Sequence, residues 1–266
     1  MRLKDKVAIV TGAGTGIGKA IASVFASEGA AVVLAGRNAS TLALAVRQIT
    51  SEGGRAMAVC TDISREDQVR DLAAQAIKDY GRIDILVNNS AHMPPLDVDV
   101  VDMPQTYWHD LLAVNLTGSM MCTKEVLKTM IPQKAGSIIS ISSIAGTTGD
   151  PSHSAYSASK WGIIGFTASL AIEVGRHNIR ANCISPAATA TEGFEEGMRM
   201  LARQKGLPYE EFMRKMMQHY AMGRIAQPVE VAKAALFLAS DDASAVTGQN
   251  LIVSCGFHMI HPAQIV

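Results

Sequence analysis

Charge of either sign is scarce in this sequence, and neither sign prevails. Charged residues make up 18% of the 266 residues, against about a quarter in an average globular protein. Lys plus Arg and Asp plus Glu number 24 each, so no net field attracts nucleic acid or an anionic membrane. Beside 48% hydrophobic residues, so little charge predicts a large buried core or a surface covered in an oligomer.

Signals for export, membrane insertion and disulfide bonding are also missing. Residues 1–6 lack the apolar segment and cleavage site of a signal peptide. The longest apolar run, residues 161–174, is too short to span a bilayer. The four cysteines lie far apart, with neither disulfide nor CxxC spacing. We therefore expect a cytoplasmic protein without a membrane span.

A glycine-rich turn follows the first apolar run. Residues 6–11 are apolar and β-branched, residues 12–18 read Gly-Ala-Gly-Thr-Gly-Ile-Gly, and the next apolar residues fall at helical spacing. Glycines let the backbone approach a pyrophosphate, and the helix N-terminus receives its negative charge. The pattern predicts a dinucleotide site, with a tight packing turn as the alternative.

Arg37 follows the second predicted strand, about twenty residues past the glycines. An acidic residue at this place grips the ribose hydroxyls of NAD, whereas an Arg accommodates the 2′-phosphate of NADP. Arg37 therefore favours NADP(H), with NAD(H) as the alternative if this Arg is only a solvated surface cation.

Strands and helices go on alternating, and the strands are apolar on both faces. This predicts a doubly wound parallel sheet with helices on both sides and ligands at the carboxyl ends of its strands. Asp62 and Asn89 follow strands and so lie at that edge, although Asp62 could instead cap a helix. Asn115 falls within a predicted helix over residues 104–131, where its low propensity suggests a kink.

Tyr156 and Lys160 are four residues apart, which places them on one face of a helix. A cation close to a phenol lowers the pKa of the phenol, so that the tyrosine works as an acid and a base near pH 7. Taken alone, the pair is more typical of an ordinary exposed helix.

Several motifs occur together along the chain: Thr11-Gly12-x-x-x-Gly16-Ile17-Gly18, Asn88-Asn89, Asn115, Ser143, Tyr156-x-x-x-Lys160 and Pro186-x-x-x-x-Thr191. In their order and spacing they resemble the short-chain dehydrogenase/reductase family over essentially the whole sequence. The resemblance implies a three-layer α/β Rossmann-type fold of about seven parallel strands, one domain over residues 1–266, and a homotetramer. It also implies a substrate lid over residues 191–224.

The resemblance also implies roles for four catalytic residues. Tyr156 is the acid when a carbonyl is reduced and the base when an alcohol is oxidised, and Lys160 lowers its pKa. Ser143 stabilises the substrate oxygen, and Asn115 holds a water that links Lys160 to solvent. The cofactor carries the hydride. Cofactor contacts are expected at Gly12, Thr15, Gly16, Ile17, Gly18, Arg37, Asp62, Ile63, Asn89, Tyr156, Lys160, Pro186 and Thr191.

The predicted lid is rich in methionine, which suits a fairly large apolar substrate. A helical stripe of apolar side chains in the lid could equally serve to dock it on the domain. Residues 92–95 and 149–153 would form the other walls. Substrate contacts are expected at His92, Ser143, His153, Tyr156 and Met198, although the imidazole of His153 could be merely structural.

Cys255, His258 and His261 recur at every third residue near the C-terminus. This spacing on an extended tail gives no closed tetrahedral set, and we expect no metal site.

The sequence thus predicts an oxidoreductase that interconverts a ketone and a secondary alcohol on a mainly apolar small molecule, with NADP(H). One alternative is a reductase of carrier-bound 3-oxoacyl chains, for which the lid offers Arg199, Arg203, Lys205, Arg214 and Lys215. Another is an NAD-dependent alcohol or hydroxysteroid-type dehydrogenase. The last is a cofactor-binding regulator without turnover, which would not need a tuned phenol.

Overall fold

The computed structural model describes residues 1–92 and 98–257. Within them the chain forms seven strands, all parallel, in one sheet. The strands are β1 (Val7–Thr11), β2 (Ala31–Gly36), β3 (Arg55–Cys60), β4 (Ile85–Asn88), β5 (Gly136–Ile141), β6 (Ile179–Pro186) and β7 (Asn250–Val253). Their order across the sheet is β3-β2-β1-β4-β5-β6-β7.

Nine α-helices connect or follow these strands in the described residues. They are α1 (Gly16–Ser27), α2 (Ala39–Ser51), α3 (Glu66–Tyr80), α4 (Gln105–Leu112), α5 (Ser119–Gln133), α6 (Ser154–Val174), α7 (Glu192–Gln204), α8 (Tyr209–Met217) and α9 (Pro228–Ala239). None of the helices described is long and apolar enough to cross a bilayer.

Two buried apolar layers cover the sheet, one on each face. Helices α1, α2 and α9 contribute to one layer, and α3, α5 and α6 to the other. The predicted three-layer, doubly wound fold is therefore confirmed. The strand order reverses between β1 and β4, and in such sheets ligands bind outside the carboxyl ends of the strands at that reversal.

The predicted helix over residues 104–131 is interrupted where Asn115 lies. A π-helical segment, Ala113–Gly118, joins α4 to α5 and contains this residue. Single π-turns within α-helices are frequent at functional sites, since they reorient side chains locally. The regular α-helical pattern is therefore interrupted at Asn115, and the expected kink stays a prediction.

Candidate active site

A cavity of about 1090 Å³ lies at the carboxyl ends of β1, β2 and β4. It brings together most of the residues predicted to bind the cofactor: Gly12, Thr15, Gly16, Ile17, Gly18, Arg37, Asp62, Ile63, Asn89 and Thr191. Tyr156, Lys160 and Pro186 are not among the residues that line it. Pro186 is buried at the end of β6.

The glycine turn is shaped by what its residues lack. Gly12 and Gly16 have φ angles of +63° and +54°, in the left-handed region that residues with a Cβ atom rarely adopt. A Cβ atom on Gly18 would collide with the carbonyl oxygen of Gly12 and the side-chain amide of Asn89. Backbone and helix start therefore approach the cavity closely, as a pyrophosphate site requires.

Thr11 fixes this turn to the end of β4, a role that the sequence did not reveal. Its Oγ1 accepts hydrogen bonds from the backbone N–H groups of Asn89 and Ser90, both at 3.0 Å. Asn89 Nδ2 in turn donates to the carbonyl oxygens of Thr11 and Gly12, at 2.9 and 3.2 Å. The amide predicted to hold the cofactor thus braces the turn itself.

Arg37 lies exposed at the rim of the cavity, close to Asp62. Burial opposes the ionisation of Asp62, whereas Ser64 donates two hydrogen bonds to its carboxylate, at 2.7 and 3.0 Å. With the positive charges of Arg37 and Arg65, these bonds hold the pKa of Asp62 below its ordinary value. The carboxylate is therefore ionised at neutral pH, and its charge attracts the Arg37 guanidinium.

Asn38 occupies the N-terminus of α2 beside Arg37. Its Oδ1 accepts from the backbone N–H groups of Ser40 and Thr41, at 3.0 and 3.2 Å. These amides are committed to the cap. Arg37 is thus the positively charged group at this end of the cavity, and it is suited to a 2′-phosphate.

The predicted catalytic residues meet at the N-terminal part of α6. Ser143, just beyond β5, is hydrogen-bonded to the phenol of Tyr156. Lys160 Nζ lies 5.6 Å from the centre of the Tyr156 ring and donates to the carbonyl oxygen of Ile141 at 2.9 Å. Lys160 is only 3% exposed, although its Nζ carries a charge at neutral pH.

The prediction that the pKa of Tyr156 is lowered is wrong. Burial raises that pKa above its ordinary value, the hydrogen bond with Ser143 opposes the rise, and the charge of Asp150 adds to it. Burial lowers the pKa of Lys160 to about 8. Desolvation disfavours the charged form of each group, so it shifts an acid upward and a base downward.

Two contacts hold Lys160 against the end of β5. Its ammonium binds the carbonyl oxygen of Ile141, and its own carbonyl oxygen accepts from Ser142 Oγ at 2.8 Å. A Cβ atom on Gly146 would lie 2.7 Å from Ser142 Oγ and 2.8 Å from the Lys160 carbonyl oxygen. This glycine therefore allows the turn after Ser143 to pack directly on α6.

The side chain of Asn115 is used for backbone contacts. Its Oδ1 accepts from the N–H of His92 at 2.6 Å, and its Nδ2 donates to the carbonyl oxygen of His92 at 3.0 Å and to Ser159 Oγ at 3.1 Å. The backbone carbonyl oxygen of Asn115 accepts from Ser119 Oγ at 3.0 Å. That Asn115 holds a water beside Lys160 stays a prediction.

The predicted substrate residues come from three different segments. His92 follows β4 and is held by Asn115, as described above. His153 directly precedes α6, with Nδ1 3.1 Å from the Pro151 carbonyl oxygen and 3.7 Å from an Asp150 carboxylate oxygen. Met198 lies half-buried on α7. Of the predicted walls, residues 93–95 lie outside the described residues.

The segment predicted to be the lid is fixed at both ends. Thr191 caps α7 and lies beside Gly16 at the cavity. Thr189 pairs with Ala226, and Tyr220, which lies beyond the end of α8, pairs with Phe257. The rings of Tyr220 and Phe257 are 4.8 Å apart.

The basic residues of this segment differ in their partners. Arg199 binds Glu195 at 2.7 Å and stacks on the ring of Tyr209 at 4.1 Å, and Lys215 binds Glu211 at 2.9 Å. In the described part of the chain no ion pair is found for the exposed Arg203, Lys205 and Arg214.

Residues 1–92 and 98–257 contain no cluster of metal-ligating side chains. His258 and His261 of the suspected tail motif lie outside the described residues. Cys60, Cys122, Cys183 and Cys255 are free thiols. Burial raises the pKa of Cys122 to about 12 and that of Cys183 to about 11, so neither is a reactive thiolate.

Comparison with known proteins extends this description. A family model described as enoyl-(acyl carrier protein) reductase matches residues 12–258. The short chain dehydrogenase/reductase astE of Aspergillus oryzae is 38% identical over 97% of this chain and 97% of its own. The 3-oxoacyl-[acyl-carrier-protein] reductase FabG of Thermotoga maritima is 36% identical over 96% of this chain and 99% of its own.

Among solved structures, a variant of actinorhodin polyketide ketoreductase with NADPH is similar throughout. The TM-score is 0.89 at 32% sequence identity, over 94% of this chain and 96% of that one. Sheet and helices are thus shared with a protein crystallised with a nicotinamide dinucleotide.

Proposed function

The chain belongs to the short-chain dehydrogenase/reductase family and is an NAD(P)-dependent oxidoreductase, and on that premise we propose that it uses NADPH to reduce a ketone to a secondary alcohol. The observation that carries the proposal is the group formed by Ser143, Tyr156 and Lys160, in which the ammonium is buried and the hydroxyl and phenol are half-buried. It combines an acid, a hydrogen-bond donor and a cation next to the acid.

The protonation state of Tyr156 is compatible with the reductive direction. Its phenol stays protonated at neutral pH, and carbonyl reduction needs a proton at the oxygen. Bound NADPH would supply the hydride to the carbonyl carbon. Tyr156 gives its proton to the carbonyl oxygen, while Ser143 donates a hydrogen bond to the same oxygen. The Lys160 ammonium stabilises the phenolate that remains.

The direct test is the oxidation of NADPH by the purified protein in the presence of a panel of ketones. We expect turnover with apolar cyclic or acyl-chain ketones. Absence of turnover with every ketone, together with rapid NAD⁺-dependent oxidation of the matching alcohols, would contradict the reductive assignment.

The preference for NADPH is supported by Arg37 at the cavity rim, beside the capped α2 terminus. We expect calorimetric titration to give at least about tenfold tighter binding of NADPH than of NADH, since a charge-assisted contact contributes roughly 1.5–3 kcal/mol. Arg37→Ala should abolish this difference. Arg65→Ala is the matched control, because Arg65 also acts on Asp62 but does not line the cavity. Equal binding of both cofactors by the unaltered protein would favour NAD(H).

We retain residues 1–266 as one domain in which residues 191–224 are the substrate lid. Met198, Met213, Met216 and Met217 of this segment are half-buried. Flexible thioether side chains adapt to apolar ligands of different shape. This supports a mainly apolar substrate, and His92, His153 and Met198 remain our proposed contacts.

A reductase of carrier-bound 3-oxoacyl chains is the second candidate. Arg203, Lys205 and Arg214 expose positive charge on the proposed lid, which would suit an acidic carrier protein. The test compares kcat/KM for an acetoacetyl-carrier substrate with that for the free ketones. A preference for the carrier substrate that disappears in the Arg203→Glu/Lys205→Glu variant would establish this candidate, and equal values would exclude it.

We also propose that the protein is a homotetramer in the cytoplasm. Apolar side chains on α4, α5 and α6 face outward, with Trp161 53% and Ile172 86% exposed. Surfaces of this kind are usually covered by partners. The four free thiols suit a reducing compartment. Light scattering after size exclusion should give four times the 28.2 kDa chain mass.

A further inference from the structure

Ser159 is a small side chain with no place in the catalytic assignment, yet it lies at the centre of the site. It is completely buried on α6, between Tyr156 and Lys160 on one side and Asn115 on the other. Its hydroxyl accepts from Asn115 Nδ2 at 3.1 Å and donates to the backbone carbonyl oxygen of Tyr156 at 2.7 Å. The hydroxyl therefore acts as donor and acceptor at once.

These two bonds complete a chain of contacts between distant segments. Asn115 holds both backbone groups of His92, which lies 23 positions earlier in the sequence. Ser159 links Asn115 to the turn of α6 that carries the phenol of Tyr156, because its hydroxyl donates to the backbone carbonyl oxygen of Tyr156. The segment after β4, the π-helical segment and α6 are thus joined by one continuous set of hydrogen bonds.

The next residue on α6 is held by a different segment. Lys160 is bound by the end of β5 at both its ammonium and its carbonyl oxygen. Ser159 ties this helical turn to the π-helical segment, and Lys160 ties it to the end of β5. Tyr156, one turn earlier, must keep its phenol in contact with Ser143.

We propose that Ser159 is a positioning residue that couples Asn115 and the His92 segment to Tyr156, and so keeps the phenol aligned with Ser143 and the substrate oxygen. The inference rests on the proposed ketone reduction. Removing the hydroxyl leaves Asn115 Nδ2 without its acceptor on α6 and the Tyr156 carbonyl oxygen without its side-chain donor. Small displacements of a reacting group are enough to slow a reaction severely.

The chain offers a matched control on the same helix. Ser157 is also buried, but its hydroxyl has no hydrogen-bond partner among the described residues. Ser157→Ala and Ser159→Ala therefore remove the same atom from similar surroundings, and only the second breaks the link. Ser159→Cys conserves volume with a weak hydrogen-bonding group, and serves if the alanine variant fails to fold.

The experiment measures kcat and KM for NADPH for the unaltered protein and these variants. We expect Ser159→Ala to lower kcat roughly ten- to a hundredfold with KM for NADPH nearly unchanged. The loss should be confined to kcat, because the broken link holds the turn that carries Tyr156 and Ser159 does not line the cofactor cavity. The kcat of Ser159→Cys should lie between those of Ser159→Ala and the unaltered protein. The kcat of Ser157→Ala should match that of the unaltered protein.

A double-variant cycle with Asn115→Ala completes the test. If the two residues act through one link, adding Ser159→Ala to Asn115→Ala should cause little further loss of kcat. The proposal is overturned if Ser159→Ala and Ser157→Ala have the same kcat, if Ser159→Ala changes KM for NADPH as much as kcat, or if the losses from Ser159→Ala and Asn115→Ala are fully additive. Lack of ketone turnover by the unaltered protein would instead contradict the proposed function itself.

Discussion

The cofactor cavity and the catalytic group lie at the same edge of the sheet, but they are built in opposite ways. The glycine turn depends on absent side chains, because positive φ angles and close backbone contacts leave no room for a Cβ atom. The catalytic group depends on buried side chains that hydrogen-bond across segments far apart in sequence. Added atoms should therefore damage the first region, and removed polar atoms the second.

The two regions also differ in function: the cavity is suited to cofactor binding, and the catalytic group to proton transfer. The cavity offers backbone groups and one exposed cation, which suits a ligand that binds and leaves in every turnover. The catalytic group holds a buried ammonium beside a half-buried phenol, and electrostatic effects are stronger there than in water. Binding and chemistry should thus be separable by substitution.

The largest effect is expected from Tyr156→Phe, which removes the acid and keeps the ring. Turnover should fall by about 10³-fold, within the range that general acid catalysis contributes. Tyr80→Phe, on α3 and outside the site, should leave turnover unchanged. Steady-state NADPH oxidation checks both, and an active Tyr156→Phe variant would remove the phenol from the mechanism.

Lys160→Met should cost turnover but increase stability. The pKa of the buried ammonium is about 8, against 10.5 for an unperturbed lysine, which corresponds to at most about 3 kcal/mol at neutral pH. The folded state binds fewer protons than the unfolded state between pH 8 and 10.5, so the free energy of unfolding of the unaltered protein rises with pH there.

The advantage of Lys160→Met should thus be present at pH 7 and vanish by about pH 10.5. Urea unfolding at several pH values measures this difference. A variant that is less stable at pH 7 would show that the contacts of Lys160 outweigh the cost of its burial.

Gly18→Ala should affect binding rather than chemistry. A Cβ atom there would collide with Gly12 and Asn89, so the turn must shift from the close approach that a pyrophosphate needs, and we expect a roughly 10- to 100-fold loss of NADPH affinity. At saturating NADPH, kcat should recover most of its value. Gly165→Ala, on an open face of α6, is the control and should bind NADPH normally. Unchanged affinity in Gly18→Ala would contradict the close approach at this turn.

The framework of the molecule could be predicted because it depends on local patterns. Apolar β-branched runs and the glycine turn gave the parallel sheet, its ligand edge and the residues around the cavity. The poor helix propensity of Asn115 indicated the interruption that the structure contains.

Thr11 and Ser159 could not be assigned in the same way. Their hydroxyls bind partners 78 and 44 positions away, and no local pattern distinguishes them from solvated side chains. The pKa of Tyr156 was predicted in the wrong direction because the sequence shows a nearby cation but not the burial that outweighs it.

The most direct test of this division is a calorimetric titration of NADPH into the Tyr156→Phe variant, beside Gly18→Ala and the unaltered protein. We predict that Tyr156→Phe binds NADPH nearly as tightly as the unaltered protein while its turnover is lost. If its affinity falls as far as that of Gly18→Ala, cofactor binding and chemistry depend on one set of residues, and the division between the two regions is wrong.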